Sequence, residues 1–176
     1  MREGWFAKYT QNLGIDIGCG KEPVTDEVEK WDTIYGNSDA TFMDGIADEV
    51  FDYVYSSDLI EHLEDPVTAL RNWWRIIKRG GILILSVPHR DLYEKKKLLP
   101  SRYNSDHKHF FLPVWNEAPD TLGLLETLEK AVGRDYFLKE LIVQDTGYKP
   151  GTVAADHPNG EYSIEMIVQK PVGYAW

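Results

Sequence analysis

The stretch from residue 51 to residue 88 constrains the fold most. Residues 51–57, FDYVYSS, are β-branched and aromatic, which is typical of a strand. Asp65 can cap a following helix whose first position suits Pro66, and apolar residues then recur at helical spacing until two glycines end the pattern. Residues 82–88, ILILSVP, form an apolar run expected of a central strand with helices on both faces. The stretch therefore predicts a right-handed βαβ unit.

The remaining elements extend this unit into a single α/β domain over residues 1–176. A helix capped by Asp120 is predicted over residues 120–131. No helical pattern separates the last two strands, so we expect them to pair antiparallel. The predicted fold is Rossmann-like and doubly wound, with a mostly parallel sheet and a C-terminal antiparallel strand pair. The further strands are predicted within residues 13–17, 31–36, 40–45, 136–148 and 161–170.

Residues 89–120 lack a regular pattern and contain three prolines. A long irregular stretch in a compact domain is usually functional, so we predict a lid or acceptor-binding loop here. The basic cluster at its start, HRDLYEKKK, is interpreted as a solvated loop, with a patch for an anionic substrate as the alternative.

Charge and composition exclude several classes of partner. The net charge of −10 argues against nucleic acid, which requires clustered lysine and arginine. No apolar run approaches the roughly 20 residues that span a bilayer, and the N-terminus resembles no signal peptide. A single cysteine suits a reducing compartment. We therefore expect a cytoplasmic protein without a membrane partner. The sequence leaves the oligomeric state undetermined.

The turn in LGIDIGCGKEP, residues 13–23, favours a cationic ligand. Gly18 and Gly20 let a ligand approach the backbone closely. The third glycine of the phosphate-binding motif G-x-G-x-x-G is absent, and Glu22 would repel a pyrophosphate. Asp16 favours an ammonium or hydroxyl group in the same way. An ordinary tight turn remains the alternative interpretation.

Three fragments together resemble one protein family. LGIDIGCGKEP, the stretch 51–88 and DHKHFF are similar to the small class I S-adenosylmethionine-dependent methyltransferases often called methyltransferase type 11. The likeness covers roughly residues 13–110, and the F-D-x-V strand followed by E-H-L is its most specific part. The resemblance implies S-adenosyl-L-methionine as cofactor, which carries a sulfonium and an ammonium and no phosphate.

The resemblance also implies contacts to this cofactor from the ends of successive strands. Only 11 residues separate Gly20 from Asp32, where the family places a full helix, so other acids in this region are rivals to Asp32. The implied contacts are Asp16, Gly18, Cys19 and Gly20 to the methionine part, Asp32 to the ribose hydroxyls, Asp44 with Met43 or Gly45 to the adenine, and Ser56, Ser57 and Leu59 beside the methyl donor.

The candidate catalytic residues lie in SDHKHFF. His107 and His109 alternate with Lys108, so in an extended segment their rings would face the same way. With Asp106 they could orient an acceptor or act as a general base, and structural hydrogen bonding is the alternative. A metal would need ligands that the sequence does not place, so no metal is predicted. His62 is interpreted as a packing residue at the start of a helix.

The predicted function is methyl transfer to the oxygen or nitrogen of a small-molecule acceptor, for which a saccharide is one candidate. A homologue that binds the cofactor without transferring methyl is the main alternative. A nicotinamide-dependent oxidoreductase is a third, and the missing glycine and Glu22 count against it.

Overall fold

A computed structural model of the chain describes residues 7–37, 39–149 and 162–173. None of the helices in these ranges is long and apolar enough to cross a membrane. The strands are β1 (Gly14–Ile17), β2 (Glu29–Trp31), β3 (Phe51–Ser57), β4 (Ile77–Pro88), β5 (Phe110–Leu112), β6 (Thr121–Gly123), β7 (Phe137–Val143) and β8 (Ser163–Gln169), and the helices are α1 (Pro66–Ile76) and α2 (Leu124–Val132).

Six of the strands form one sheet in the order β2-β1-β3-β4-β8-β7. The first four strands in this order are parallel, whereas β8 pairs antiparallel with both β4 and β7. The predicted Rossmann-like α/β fold, with a mostly parallel sheet and a C-terminal antiparallel pair, is confirmed. The carboxyl ends of β1, β2 and β3 lie side by side at one edge of the sheet, where ligands bind in this architecture.

The helices α1 and α2 pack together on one face of the sheet, over the main apolar core. The other face of β3 and β4 carries a smaller cluster, which includes Tyr53 and Ile84. Tyr9, Val24 and Val28 cover that cluster, so within the described ranges no helix lies over it. The predicted helical cover on both faces of β4 is therefore present on one face only. Residues 20–28 form turns, which agrees with the predicted loss of the first helix.

Helix α1 starts as predicted but ends earlier. Asp65 caps it by accepting a hydrogen bond from the Thr68 backbone N–H at 3.0 Å, and Pro66 is its first residue. Because Ile77 is already extended and pairs with Phe51, residues 77–81 extend β4 rather than α1. Gly81 lies so close to β3 that a Cβ atom there would be 2.7 Å from the carbonyl oxygen of Asp52.

Three predicted elements were wrong in position or type. Strand β2 ends at Trp31, and the residues after it form the helical turn Thr33–Tyr35. Residues 40–45 form turns instead of a strand. Helix α2 begins at residue 124, because residues 121–123 pair with β5, and Asp120 accepts a hydrogen bond from Leu99 instead of capping the helix.

The segment 89–120 is more ordered than the sequence predicts. It contains the helical turn Arg90–Glu94 and strand β5. The buried Arg90 guanidinium pairs with Asp91 at 2.8 Å and with Glu117 at 2.8 Å, so it ties the start of the segment to its end. This segment lies across the carboxyl end of the sheet, where its backbone hydrogen-bonds to Glu61 after β3.

Candidate active site

The glycine turn follows β1 directly and is held by β2. The Gly18 backbone N–H donates to the carbonyl of Trp31 at 2.8 Å, and the Gly20 N–H donates to the Asp32 carboxylate at 3.0 Å. Both glycines have left-handed backbones, with φ of 79° and 52°. At Gly18 a Cβ atom would also lie 2.7 Å from the side chain of Leu59, so the turn requires glycine there.

Asp16 lies buried at the end of β1 beneath this turn. Its carboxylate accepts a hydrogen bond from the Val24 backbone N–H at 2.7 Å. Burial is the main cause that raises its pKa to about 7, and the nearby Asp32 carboxylate raises the pKa further. A cation bound beside Asp16 would stabilise its ionised form.

A cavity of about 330 Å³ opens at this turn, and we call it the cofactor cavity. Among the described residues that line it are three carboxyl groups and no lysine, arginine or histidine, so this lining favours a cationic ligand. Its lining residues are Asp16, Gly18, Cys19, Glu22, Val24, Tyr55, Ser57 and Asp58.

Several predicted cofactor contacts lie outside this lining. Asp32 accepts hydrogen bonds from the backbone N–H groups of Gly20 and Ile34, both at 3.0 Å. The Ser56 hydroxyl is buried and donates to the carbonyl of Ile17 at 2.9 Å, which ties β3 to β1. Leu59 packs against Gly18.

The predicted adenine contacts lie in the turns of residues 40–45. Met43 is fully buried and packs in the main core, so its side chain is not free to face a ligand. Asp44 and Gly45 are exposed. The structure therefore brings Asp16, Gly18, Cys19 and Ser57 together at one cavity and leaves the other seven predicted cofactor contacts, Gly20 among them, outside its lining.

A second cavity of about 420 Å³, which we call the acceptor cavity, lies under the segment 89–120. It meets the cofactor cavity at Ser57 and Asp58, the end of β3, because these two residues line both. Its lining residues are Ser57, Asp58, Glu61, His62, Ser86, Pro88, Tyr93, Asn104, His107, Tyr162 and Ser163.

Of the three predicted catalytic residues, His107 alone is among the described residues that line the acceptor cavity. Its Nδ1 atom lies 2.6 Å from Oε1 of Glu94, and both side chains are buried. The Ser101 hydroxyl donates to the other Glu94 oxygen at 2.6 Å. The ring of Tyr93 stacks over His107, with centroids 6.3 Å apart. These contacts fix the imidazole and leave its Nε2 atom facing Glu61.

Asp106 and His109 occupy different positions from those predicted. Asp106 is exposed and contacts His62, whose Nδ1 lies 3.0 Å from the Asp106 carboxylate. The His109 Nε2 atom is buried without a hydrogen-bond partner in the described part of the chain, and His109 is not among the residues lining the acceptor cavity. The rings of His107 and His109 were predicted to face the same way. Of the two residues, His107 lines the acceptor cavity and His109 does not, so they do not both face it.

Sequence analysis missed the acids at this site. Asp58 has a left-handed backbone with φ of 51°, and it accepts a hydrogen bond from the Ser57 hydroxyl at 3.0 Å. Surrounding protein raises the pKa of Asp58. Glu61 was noted only as part of the E-H-L motif. Glu94 was noted only as part of the basic cluster HRDLYEKKK, which was interpreted as a solvated loop. The signal available for Asp58 and Glu61 was their position directly after a strand at the ligand-binding edge.

Comparisons with known proteins agree with this fold. Residues 26–85 match the family model described as methyltransferase domain. A search of the curated proteins finds no match.

Solved structures with this fold are themselves distant in sequence. An S-adenosylmethionine-dependent methyltransferase from Methanosarcina mazei has a TM-score of 0.57 at 14% identity, covering 96% of this chain and 97% of that chain. One from Thermotoga maritima has a TM-score of 0.52 at 20% identity, covering 93% and 84%. A chain in the complex of the Haloferax volcanii Trm112 methyltransferase activator with a methyltransferase has a TM-score of 0.55 at 13% identity, covering 94% and 87%. These likenesses show the fold.

The sheet order and the match of residues 26–85 to the methyltransferase-domain model together support a class I S-adenosylmethionine-dependent methyltransferase, as the resemblance predicted. They likewise support a methyltransferase enzyme with S-adenosyl-L-methionine as its cofactor.

Proposed function

We propose that this methyltransferase acts on a hydroxyl group of a small molecule held in the acceptor cavity. The observation that carries the proposal is that the two cavities meet at Ser57 and Asp58. A methyl donor in one cavity and a nucleophile in the other would face each other across these residues. Positioning of this kind is the main task of the protein when the methyl group is already activated.

On the cofactor side, the ammonium and sulfonium groups of S-adenosylmethionine suit a lining that contains Asp16, Glu22 and Asp58 and no basic residue. Asp16 would hold the methionine part through its carboxylate, and Gly18, Cys19 and Gly20 would do so through their backbones.

The same proposal assigns the ribose to Asp32 and the adenine to the turns of residues 40–45. Each Asp32 oxygen accepts one backbone N–H, and Oδ1 also accepts the Thr33 hydroxyl at 3.4 Å, so Oδ2 retains a lone pair for a ribose hydroxyl. Asp44 and Gly45 are exposed, and Met43, whose side chain is buried, would contribute backbone only. Two apolar side chains near these residues, Ile34 and Phe42, are about half exposed, which supports a ring-binding surface.

On the acceptor side, a volume of about 420 Å³ suits a metabolite rather than a macromolecule, and its polar lining suits a hydroxylated compound such as a saccharide. Asp58 would take the hydroxyl proton, since it lies where the two cavities meet. The oxygen would form a bond to the methyl carbon while the carbon–sulfur bond breaks, and the bonding electrons would stay on sulfur.

Of the predicted catalytic residues, His107 is proposed to contact the acceptor and promote loss of its proton. Asp106 is proposed to act through His62, which it contacts directly. For His109 the sequence-based role stays a prediction, and its position outside the lining of the acceptor cavity does not support it.

The test is transfer of a labelled methyl group from S-adenosylmethionine to a panel of sugars, phenols and amines, with cofactor binding measured separately by calorimetry. We expect a hydroxylated acceptor to be methylated. Asp58→Asn should lower kcat at saturating cofactor by about 100-fold or more, while the calorimetry reports separately the cofactor affinity lost with one of the three carboxylates. Cofactor binding without any transfer would favour a non-catalytic binding protein, and turnover unaffected by Asp58→Asn would contradict the role of that residue.

A further inference from the structure

The Glu61 carboxylate lies in the wall of the acceptor cavity without a hydrogen-bond partner. Glu61 is 1% exposed, and neither of its oxygens accepts a hydrogen bond from any residue that the structure describes. A buried carboxylate in this condition is costly unless a charge or a metal compensates it. A positively charged group beside Glu61 would offset the cost of burying this carboxylate.

Two imidazoles face this carboxylate. Nε2 of His62 lies 3.9 Å and Nε2 of His107 lies 4.0 Å from Oε1 of Glu61. The candidate ligand atoms of the three residues all lie within 4.8 Å of one another. These separations are too long for hydrogen bonds between the three groups. They leave room for an ion at the centre.

Both imidazoles are oriented as metal-binding histidines usually are. Nδ1 of His62 lies 3.0 Å from the Asp106 carboxylate, and Nδ1 of His107 lies 2.6 Å from the Glu94 carboxylate. A metal-binding histidine typically donates its second ring N–H to a carboxylate in this way, which fixes the ring and leaves the other nitrogen free to bind. Here Nε2 is the free nitrogen in both rings.

The backbone holds the three residues in place. Glu61 and His62 lie in the helical turn Ile60–His62 after β3, and His107 comes from the segment 89–120. The carbonyl of Glu61 accepts hydrogen bonds from the backbone N–H groups of Lys108 at 2.8 Å and His109 at 3.2 Å. Glu61, His62 and His107 therefore lie where the segment 89–120 is hydrogen-bonded to the helical turn after β3.

We propose that Glu61, His62 and His107 bind a divalent transition-metal ion, of which Zn²⁺ is the representative. Zinc bonds of about 2.0–2.2 Å in tetrahedral geometry place ligand atoms roughly 3.3–3.6 Å apart, so the observed separations need to shorten by about half an ångström. The half ångström applies to the two separations from Glu61, and the longest separation in the cluster, 4.8 Å, needs to shorten by about 1.2–1.5 Å. Two histidines and one carboxylate with an open position are a common donor set for such ions.

This site deepens the proposed function, on which its chemical role rests. The open position of the ion would face the acceptor cavity and bind the acceptor hydroxyl, whose pKa the ion would lower. The proton would pass to Asp58, the oxygen would attack the methyl carbon, and the ion would keep its oxidation state. His107 would then promote deprotonation as a ligand, and acceptors with two neighbouring oxygens would be favoured because they can chelate.

The test measures metal binding to the full chain after chelator treatment, without cofactor or acceptor. Calorimetry with Zn²⁺ and visible absorption with Co²⁺ should show one ion per chain. Glu61→Gln and His62→Ala should each weaken binding by about 100-fold or more. Glu94→Gln and Asp106→Asn should weaken it by about 10- to 100-fold, since they orient the ligands. His109→Ala is the matched control and should bind like the wild type. Circular dichroism checks that each variant folds.

The possible results separate the two proposals. Absence of Zn²⁺ and Co²⁺ binding, or binding that Glu61→Gln and His62→Ala both leave unchanged, would overturn the metal site and leave the methyl-transfer assay unaffected. Preference for Mg²⁺ over Zn²⁺ would contradict the transition-metal assignment. Conversely, tight Zn²⁺ binding in a chain that does not bind S-adenosylmethionine would overturn the proposed function and retain the site.

Discussion

Nδ1 of His107 and Oε1 of Glu94 are 2.6 Å apart, in a pair that is buried on both sides. Glu94 also accepts the Ser101 hydroxyl, so one carboxylate organises the segment that covers the acceptor cavity. Removing it would leave two buried polar groups without their partner.

We therefore expect Glu94→Ala to lower the free energy of unfolding by about 3 kcal/mol, measured by urea denaturation. Glu64→Ala is the control, because Glu64 is exposed and its contact with Lys108 is a surface ion pair. That variant should change the free energy of unfolding by less than about 1 kcal/mol. Equal effects of the two substitutions would show that the buried pair does not stabilise the segment.

Asp16 makes stability depend on pH. Its pKa is about 7 in the folded chain against an ordinary value of 3.8, so ionisation opposes folding. The stability difference between wild type and Asp16→Asn should be constant below about pH 4. As the pH rises to about 7 the wild type should lose roughly 3–4 kcal/mol relative to the variant. Thermal and urea unfolding across this range measure it. A flat difference for Asp16→Asn would contradict the raised pKa.

Asp32→Asn separates the structural and ligand-binding roles of Asp32. Asparagine caps a helical turn about as well as aspartate but cannot also accept the Gly20 N–H, so the free energy of unfolding should fall by only about 1 kcal/mol. A neutral amide offers one acceptor oxygen where the carboxylate offers two, so affinity for S-adenosylmethionine should fall by about tenfold. Asp44→Asn tests the proposed contact to the adenine in the same titration with S-adenosylmethionine. Undiminished affinity in Asp32→Asn, measured by calorimetry, would assign the ribose to another acid.

The two glycines of the turn should differ in their sensitivity to alanine. Both have positive φ, but a Cβ at Gly18 would collide with Leu59, whereas nothing lies within 4 Å of a Cβ at Gly20. We expect Gly20→Ala to cost about 1 kcal/mol of unfolding free energy and Gly18→Ala about 2 kcal/mol or more. Chemical denaturation of the two variants checks the order, and a smaller cost at Gly18 would refute the packing argument.

The elements that were predicted correctly from the sequence are those that interactions between neighbouring residues determine. The Asp65 cap, the first residue of α1 and the buried strands β3 and β4 were all correct, because capping and periodicity are encoded within a few residues. Asp120 failed as a cap because residues 121–123 pair with β5, a contact that no local pattern encodes. In residues 40–45 an apolar run was interpreted as a strand, although its buried Met43 has a φ of 53°.

The site residues likewise divide into those that the local sequence identifies and those that only the folded chain brings together. The glycine turn and Asp16 could be identified because they directly follow a strand. The cluster around Glu61 could not, because His62 and His107 are far apart in sequence and meet only through the folded segment. The alternation argument for His107 and His109 assumed an extended backbone, whereas the His107 N–H bonds back to the carbonyl of Asn104.

Calorimetric titration of the purified chain with S-adenosylmethionine tests the central claim most directly, with NAD as the control ligand. The account predicts one binding site per chain with a micromolar dissociation constant, and no heat of binding with NAD. A chain that shows no binding at millimolar S-adenosylmethionine, or that binds NAD more tightly, would contradict the assignment of the cavity at the glycine turn to this cofactor.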